Sequence, residues 1–321
     1  MTTTAPRRGG LAAAQRRFVR SVTIPTVIYA TAFGVLPIIW VAALMFFDYS
    51  PRRAGGPILG LGGNNPFVGL QNFQQMFTGV SLPARLFRQS LSNTLIFAFL
   101  ILPFNLAITI PLAALIESIH ARVKPVFRAI YFLPAVTTSV GVALVWGYMY
   151  DPRYGLIDGI IRALGGKPVV WLTDPRAQFL GISVAMLAVI VAYLWQDFGF
   201  NLVIIIAAMQ GIPNEFREAA QIDGAGPWQI LRYVTVPLLR PTLLFICVMT
   251  MISSFQVFDI IQVMTNGGPN NQTRVLELDI YENAFRYQSM GWAAAVSLVL
   301  LLVVMVITVA QMRLLRTQWE Y

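Results

Sequence analysis

Apolar and charged positions alternate in long blocks along this chain rather than at helical or strand period. Runs without a charged residue occupy 21–47, 89–116 and 129–150. A fourth begins at Ala177 and reaches about Met209, broken only by Asp197, and a fifth runs from Pro241 to about Met264, broken by Asp259. The last covers 287–312. About 20 helical residues cross about 30 Å of hydrocarbon, so each run is long enough to span a bilayer. The pattern predicts an all-α integral membrane protein with six transmembrane helices. Pro103, Pro111, Pro134 and Gly141 lie inside these runs, which membrane helices tolerate when neighbouring groups satisfy the freed backbone.

Between the fourth and fifth runs lies a polar stretch, Ile212 to Pro237, with punctuation of its own. Pro213 and Asn214 are a helix start signal, and Glu215 falls in the positive first turn. Gly224 ends that helix, because glycine takes a left-handed conformation cheaply. Gly226 and Pro227 open a second helix, and Pro237 is expected to close it. The other side of the membrane shows a turn-rich strip (Gly55, Gly56, Pro57, Gly60, Gly62, Gly63). Phe67 to Arg88 then reads as a pair of surface-lying helices.

Composition agrees with the pattern. Of 321 residues, 57% are hydrophobic and 12% charged, about half the charge density of a soluble domain. The formal charge of +9 is scattered in pairs between apolar runs. It therefore points to membrane orientation and lipid headgroups, not to nucleic acid. Five N-terminal arginines (7, 8, 16, 17, 20) precede the first run, but that run far exceeds a signal-peptide core, so it reads as a retained helix. With both termini cytoplasmic, the inner segments 1–20, 117–128, 210–240 and 313–321 carry 13 of the 23 Lys and Arg. The expected domains are a basic segment 1–20, a six-helix transmembrane domain 21–312 containing the loop 210–237, and a tail 313–321. One cysteine (Cys247) and one histidine (His120) exclude an intrachain disulfide and a Cys/His metal cluster. Gly165-Gly166-Lys167 lacks the spacing of a phosphate-binding loop, so ATP binding by that route is not expected, nor is a catalytic constellation.

Inside the fourth run, Tyr193, Asp197 and Asn201 stand at i, i+4 and i+8, on one helix face, with Trp195 beside them. A carboxylate, an amide and aromatic rings suit a hydroxyl-rich solute. Ser253, Gln256 and Asp259 form a second polar face in the fifth run, and Asn105 adds an amide in the second. Alternatives remain open for each. Asp197 and the amides equally suit bonds between helices, and Asp259 equally suits the membrane interface. Two relay carboxylates would also fit an ion-coupled secondary carrier.

The residues also carry a family resemblance. Glu218-Ala219-Ala220, then Asp223-Gly224-Ala225, with Pro237 before the next span, resembles the EAA loop of ABC-importer permeases. Phe67-Val68-Gly69-Leu70-Gln71-Asn72 and Thr265-Asn266-Gly267-Gly268-Pro269 resemble segments of carbohydrate-type permeases, the latter of the maltose-type first permease. Asn93-Thr94, Arg128, Phe132-Leu133-Pro134 and Trp146 fit the same pattern. Asp158 departs from it where Asn is expected, Gly199 where Pro often precedes Phe, and Val234 and Val236 replace Ile and Leu. The resemblance implies a type I ABC-importer permease fold. It implies that Phe216, Glu218, Ala219, Ala220, Asp223 and Gly224 meet a cytosolic ATPase. It further implies a second homologous permease, two ATPase subunits that bind the ATP and Mg, and an extracytoplasmic solute-binding protein. The spans contain no Lys or Arg, which favours a neutral sugar over glycerol 3-phosphate or another solute.

Overall fold

The computed structural model describes residues 8–53 and 60–314, with side chains from residue 15 onward. The first residues of the basic segment, the strip around Gly55, Gly56 and Pro57, and nearly all of the tail 313–321 lie outside the described residues.

Helix α1 (Arg8–Ala30) passes through a π-helical turn, Thr31–Val35, into α2 (Leu36–Leu44). Pro37 sits in the first turn of α2, so the widened turn before it absorbs the carbonyl clash and missing donor of a mid-helix proline. This first span exposes apolar side chains on all sides from Phe18 to Ile39. Next come a short amphipathic helix α3 (Gln71–Thr78) and the long α4 (Leu82–Ser118). Only the first half of the expected surface pair is separate. Leu82 to Arg88 already belongs to α4, whose apolar face continues through Ala84 and Phe87.

The third run is not one straight helix. α5 (Lys124–Phe132) leads through a 3₁₀ turn (Leu133–Val136) to α6 (Ser139–Met149), and the two arms meet at 98°. Pro134 lies in that turn, and Thr138 caps α6 by accepting from the Gly141 N–H at 3.2 Å. Outside the membrane follow α7 (Leu156–Ala163) and a small hairpin, β1 (Gln178–Phe179) with β2 (Ile182–Ser183). Helix α8 (Val184–Gln210) is continuous. The loop helix α9 (Asn214–Ile222) then precedes α10 (Pro227–Ile230), a second π-helical turn (Leu231–Thr235) and α11 (Val236–Leu238). Pro237 therefore does not close a helix. The π turn accommodates it, and the bend of 75° comes at Leu239, before α12 (Arg240–Phe255). The fifth run breaks again at Gln256–Phe258, and α13 (Asp259–Met264) starts afresh. Helix α14 (Leu276–Tyr281) and α15 (Met290–Leu314) complete the chain.

Among the described residues, four helices are individually long and apolar enough to cross a membrane, and each bent pair counted as one span brings the total to six. Helix α4 contributes to all three buried clusters: with α6, α8 and α13, with α12 and α15, and with the inner end of α8. Since lipid competes equally for apolar surface, close backbone approach carries much of the packing. A side chain at Gly199 would meet the Tyr131 carbonyl oxygen at 2.3 Å, and one at Gly291 would meet that of Phe47 at 2.0 Å. The departure at Gly199 thus serves contact between α8 and α5 rather than a kink. Asp158 also finds its reason: buried, it accepts from the Val169 N–H at 2.7 Å and from Trp171 Nε1 at 2.8 Å, and so folds the outer loop around itself.

Candidate functional site

The loop after α8 is built from its turn residues. Pro213 precedes α9 as its cap and Asn214 is the first helical residue, with no side-chain cap bond; the expected start holds, without Asn214 as the cap itself. At the far end Gly224 has φ +81°. Its N–H donates to the Gln221 carbonyl (3.0 Å), and the Ala225 N–H donates to Ala220 (2.9 Å). That pair of bonds is a Schellman closure, which satisfies the last carbonyls of α9 and turns the chain sharply. The Gly226 N–H then donates to Gln229 Oε1 at 2.7 Å, fixing the start of α10.

Phe216, Glu218, Ala219, Asp223 and Gly224 are exposed and Ala220 is half-buried. Phe216, Ala219, Ala220 and Asp223 share a face at helical spacing. Ile222 is 87% and Trp228 64% exposed, and apolar groups clustered on a polar loop mark an interaction surface. Behind α9, a cavity of about 570 Å³ is lined by Arg217, Gln221, Ala225, Trp228, Met209 and Leu115. It lies between the loop and the C-terminal ends of α4 and α8.

Within the helical body, Asn105, Asp197 and Asn201 come together. Asn105 Nδ2 donates to Asp197 Oδ2 at 2.8 Å, and Asn201 Nδ2 reaches the same oxygen at 3.3 Å. Asn201 Nδ2 also lies 3.1 Å from Asn105 Oδ1 and 3.0 Å from Thr250 Oγ1. The network joins α4, α8 and α12. Both bonds to Asp197 use Oδ2. Tyr193 stands one turn away, edge-on to Phe97 at 5.2 Å, with its hydroxyl toward Ser253 and Ser254. Ser253 itself donates to the Thr250 carbonyl at 3.1 Å.

The remaining candidates lie apart from this network. Trp195 packs edge-to-face on Trp146 at 6.0 Å and is exposed. Gln256 ends α12 and Asp259 begins α13, both exposed, so the break between them dissolves the single polar face expected from Ser253 to Asp259. Thr250 was missed by sequence reasoning. Its one available signal was the Thr250–Ser254 spacing, and a hydroxyl in an apolar helix ordinarily bonds its own backbone.

A polytopic helical bundle with an exposed, glycine-closed loop between two spans is the architecture of a transport subunit. A bacterial ABC transporter involved in the import of the acidic polysaccharide alginate shares this fold: TM-score 0.79, 22% identity, covering 98% of this chain and 100% of that one. The chain belongs to the binding-protein-dependent transport system inner membrane component family, whose profile matches residues 8–317. It is 34% identical to the lactose transport system permease protein LacF of Rhizobium radiobacter, over 70% of this chain and 74% of the relative. It is 32% identical to the sn-glycerol-3-phosphate transport system permease protein UgpA of Pectobacterium atrosepticum, over 80% of this chain and 83% of that one. The chain is therefore a multi-pass inner-membrane permease subunit of an ABC transporter, a transport component and not an enzyme. Membership sets aside the ion-coupled secondary carrier.

Proposed function

We propose that this subunit forms half of the translocation path of an ATP-driven importer for a neutral sugar or oligosaccharide, with both termini cytoplasmic. Its partners are a second, homologous permease, two cytosolic ATPase subunits that bind ATP and Mg, and an extracytoplasmic binding protein. A solved alginate transporter is in complex with a periplasmic protein that carries an alginate pentasaccharide, which supports that last partner. The names of the relatives support either a sugar or glycerol 3-phosphate as solute. The Asp197 carboxylate, with no Lys or Arg on α8, supports the sugar: it disfavours a phosphate and accepts hydroxyls.

The observation that carries the reading is the exposed α9 closed at Gly224. Closure of the ATPases moves α9, α8 transmits the motion, and the helices around Asp197 reorient between outward- and inward-facing states. Different contacts in the two states supply the coupling. Glu218→Lys on the exposed face tests this directly. The variant inserts normally, and the reconstituted complex hydrolyses ATP without importing solute. Wild-type import by that variant would end the coupling role of α9.

A further inference from the structure

Helix α8 runs straight into the coupling loop. Gln210 is its last residue and α9 begins at Asn214. The Gln210 side chain donates Nε2 to Glu117 Oε1 at 3.3 Å, at the inner end of α4. The Glu117 side chain is only 9% exposed, and Lys124 and Arg128 of α5 converge on it. Lys124 Nζ donates to Glu117 Oε2 at 2.9 Å and Arg128 Nη2 to Oε1 at 2.5 Å. Lys124 Nζ also donates to the Glu117 backbone carbonyl at 2.7 Å, so the ammonium caps the negative end of α4. One carboxylate thus gathers the ends of α4, α5 and α8.

These links differ in strength. The two to α5 pair opposite charges at 2.9 and 2.5 Å and are half-buried; the one to Gln210 has a neutral donor, is stretched to 3.3 Å and is exposed. A longer bond with charge on one side only is the weakest of the three. Motion of α8 therefore loosens the Gln210 contact first, while α4 and α5 stay joined. Helix α5 is one arm of the 98° elbow that ends in α6, so its displacement reaches the packed helices around α8 and α13. Arg128 also keeps a buried Nε–H without a partner.

We infer that Glu117 is a positioning residue for energy coupling. It joins α4 and α5 into one lever, and Gln210 is the releasable link between that lever and the coupling loop. The inference rests on the reading of α9 as the ATPase contact.

The test uses the whole transporter, with its ATPase and binding protein, in proteoliposomes. Solute imported per ATP hydrolysed is measured for wild type, Glu117→Gln, Glu117→Asp, Lys124→Gln and Glu218→Lys. Glu117→Gln is expected to lower that ratio at least about fivefold, the low end of ordinary coupling between sites, while ATP hydrolysis continues. Glu117→Asp, which keeps the charge, recovers part of the loss, and Lys124→Gln falls between. A wild-type ratio in both Glu117→Gln and Lys124→Gln overturns the inference, even if less complex assembles. Should Glu117→Gln fail to assemble, Lys124→Gln alone decides. If Glu218→Lys uncouples while the Glu117 and Lys124 variants do not, only the lever is wrong. If Glu218→Lys itself keeps the wild-type ratio, the reading of α9 fails.

Discussion

Replacing Asp197 by Asn separates a solute contact from a strut between helices. Asp197 holds Asn105 at 2.8 Å and Asn201 at 3.3 Å through one oxygen. An Asn side chain keeps one carbonyl oxygen for those donors and loses the second acceptor. A carboxylate within a span costs about 2.5–3.5 kcal/mol on insertion scales, and Asp197→Asn relieves part of that penalty, since a buried amide is itself costly. Against this stand two weakened bonds to a charged acceptor, each worth about 1.5–3 kcal/mol at most. The two effects nearly cancel, and the thermal midpoint of the solubilised chain stays near that of wild type. Transport has no such compensation. A solute hydroxyl loses one charge-assisted bond of about 1.5–3 kcal/mol, and at about 1.4 kcal/mol per tenfold import falls roughly 10- to 100-fold. The assay is binding-protein-dependent uptake in proteoliposomes, with the solute first identified by a ligand screen on the binding protein. Unchanged uptake with a clearly lowered midpoint would refute the argument and leave Asp197 as interhelical glue.

Other positions test the packing that holds this network. Gly199→Ala puts a methyl against the Tyr131 carbonyl, where only 2.3 Å is free, and forcing apart two backbones is expected to cost about 1–3 kcal/mol; a lowered thermal midpoint in detergent checks it, and an unchanged one would mean that α5 and α8 separate freely. Arg274→Met leaves Asp279 and Glu282 buried without their shared cation, a loss of about 3–5 kcal/mol. Limited proteolysis within 265–286 reads that loss, with uncut wild type as the reference.

The six spans were legible because charge-free runs of sufficient length have no other stable use than crossing lipid. The shape of the coupling loop was legible for a local reason: Gly224, Gly226 and Pro227 each fix backbone angles without help from the rest of the chain. The breaks inside the third and fifth runs were not. Thr137 and Gln256–Phe258 sit inside runs long enough to cross a membrane despite their polar residues, and neighbouring helices decide whether such runs go straight. Glu117 read as one more loop charge, although it draws Lys124, Arg128 and Gln210 to a single carboxylate. Arg274 likewise counted toward an outer segment, yet it is buried with Asp279 and Glu282. In both cases the partners lie across turns whose geometry the residue pattern does not encode.

The three polar nodes make α4 the common member of the whole arrangement. In its first half Asn93 Nδ2 donates to the Asn271 carbonyl at 3.0 Å and the Arg274 carbonyl at 2.9 Å, and Thr94 Oγ1 accepts from the Leu276 N–H at 2.9 Å. Asn105 follows about twelve residues later and Glu117 about twelve beyond that, or about 18 Å per interval at helical rise. The full interval of about 36 Å is close to the hydrocarbon thickness, and Asn105 lies midway along it. Twelve residues at about 100° each leave a net turn of about 120°. The nodes therefore face three different neighbours: the segment before α14, then α8, then α5. A rigid helix tied on three sides at three depths cannot shift relative to one neighbour without straining its bonds to the others. On the proposed reading, motion delivered at the Glu117 end reaches Asn105 and its partner Asp197, about 18 Å along α4.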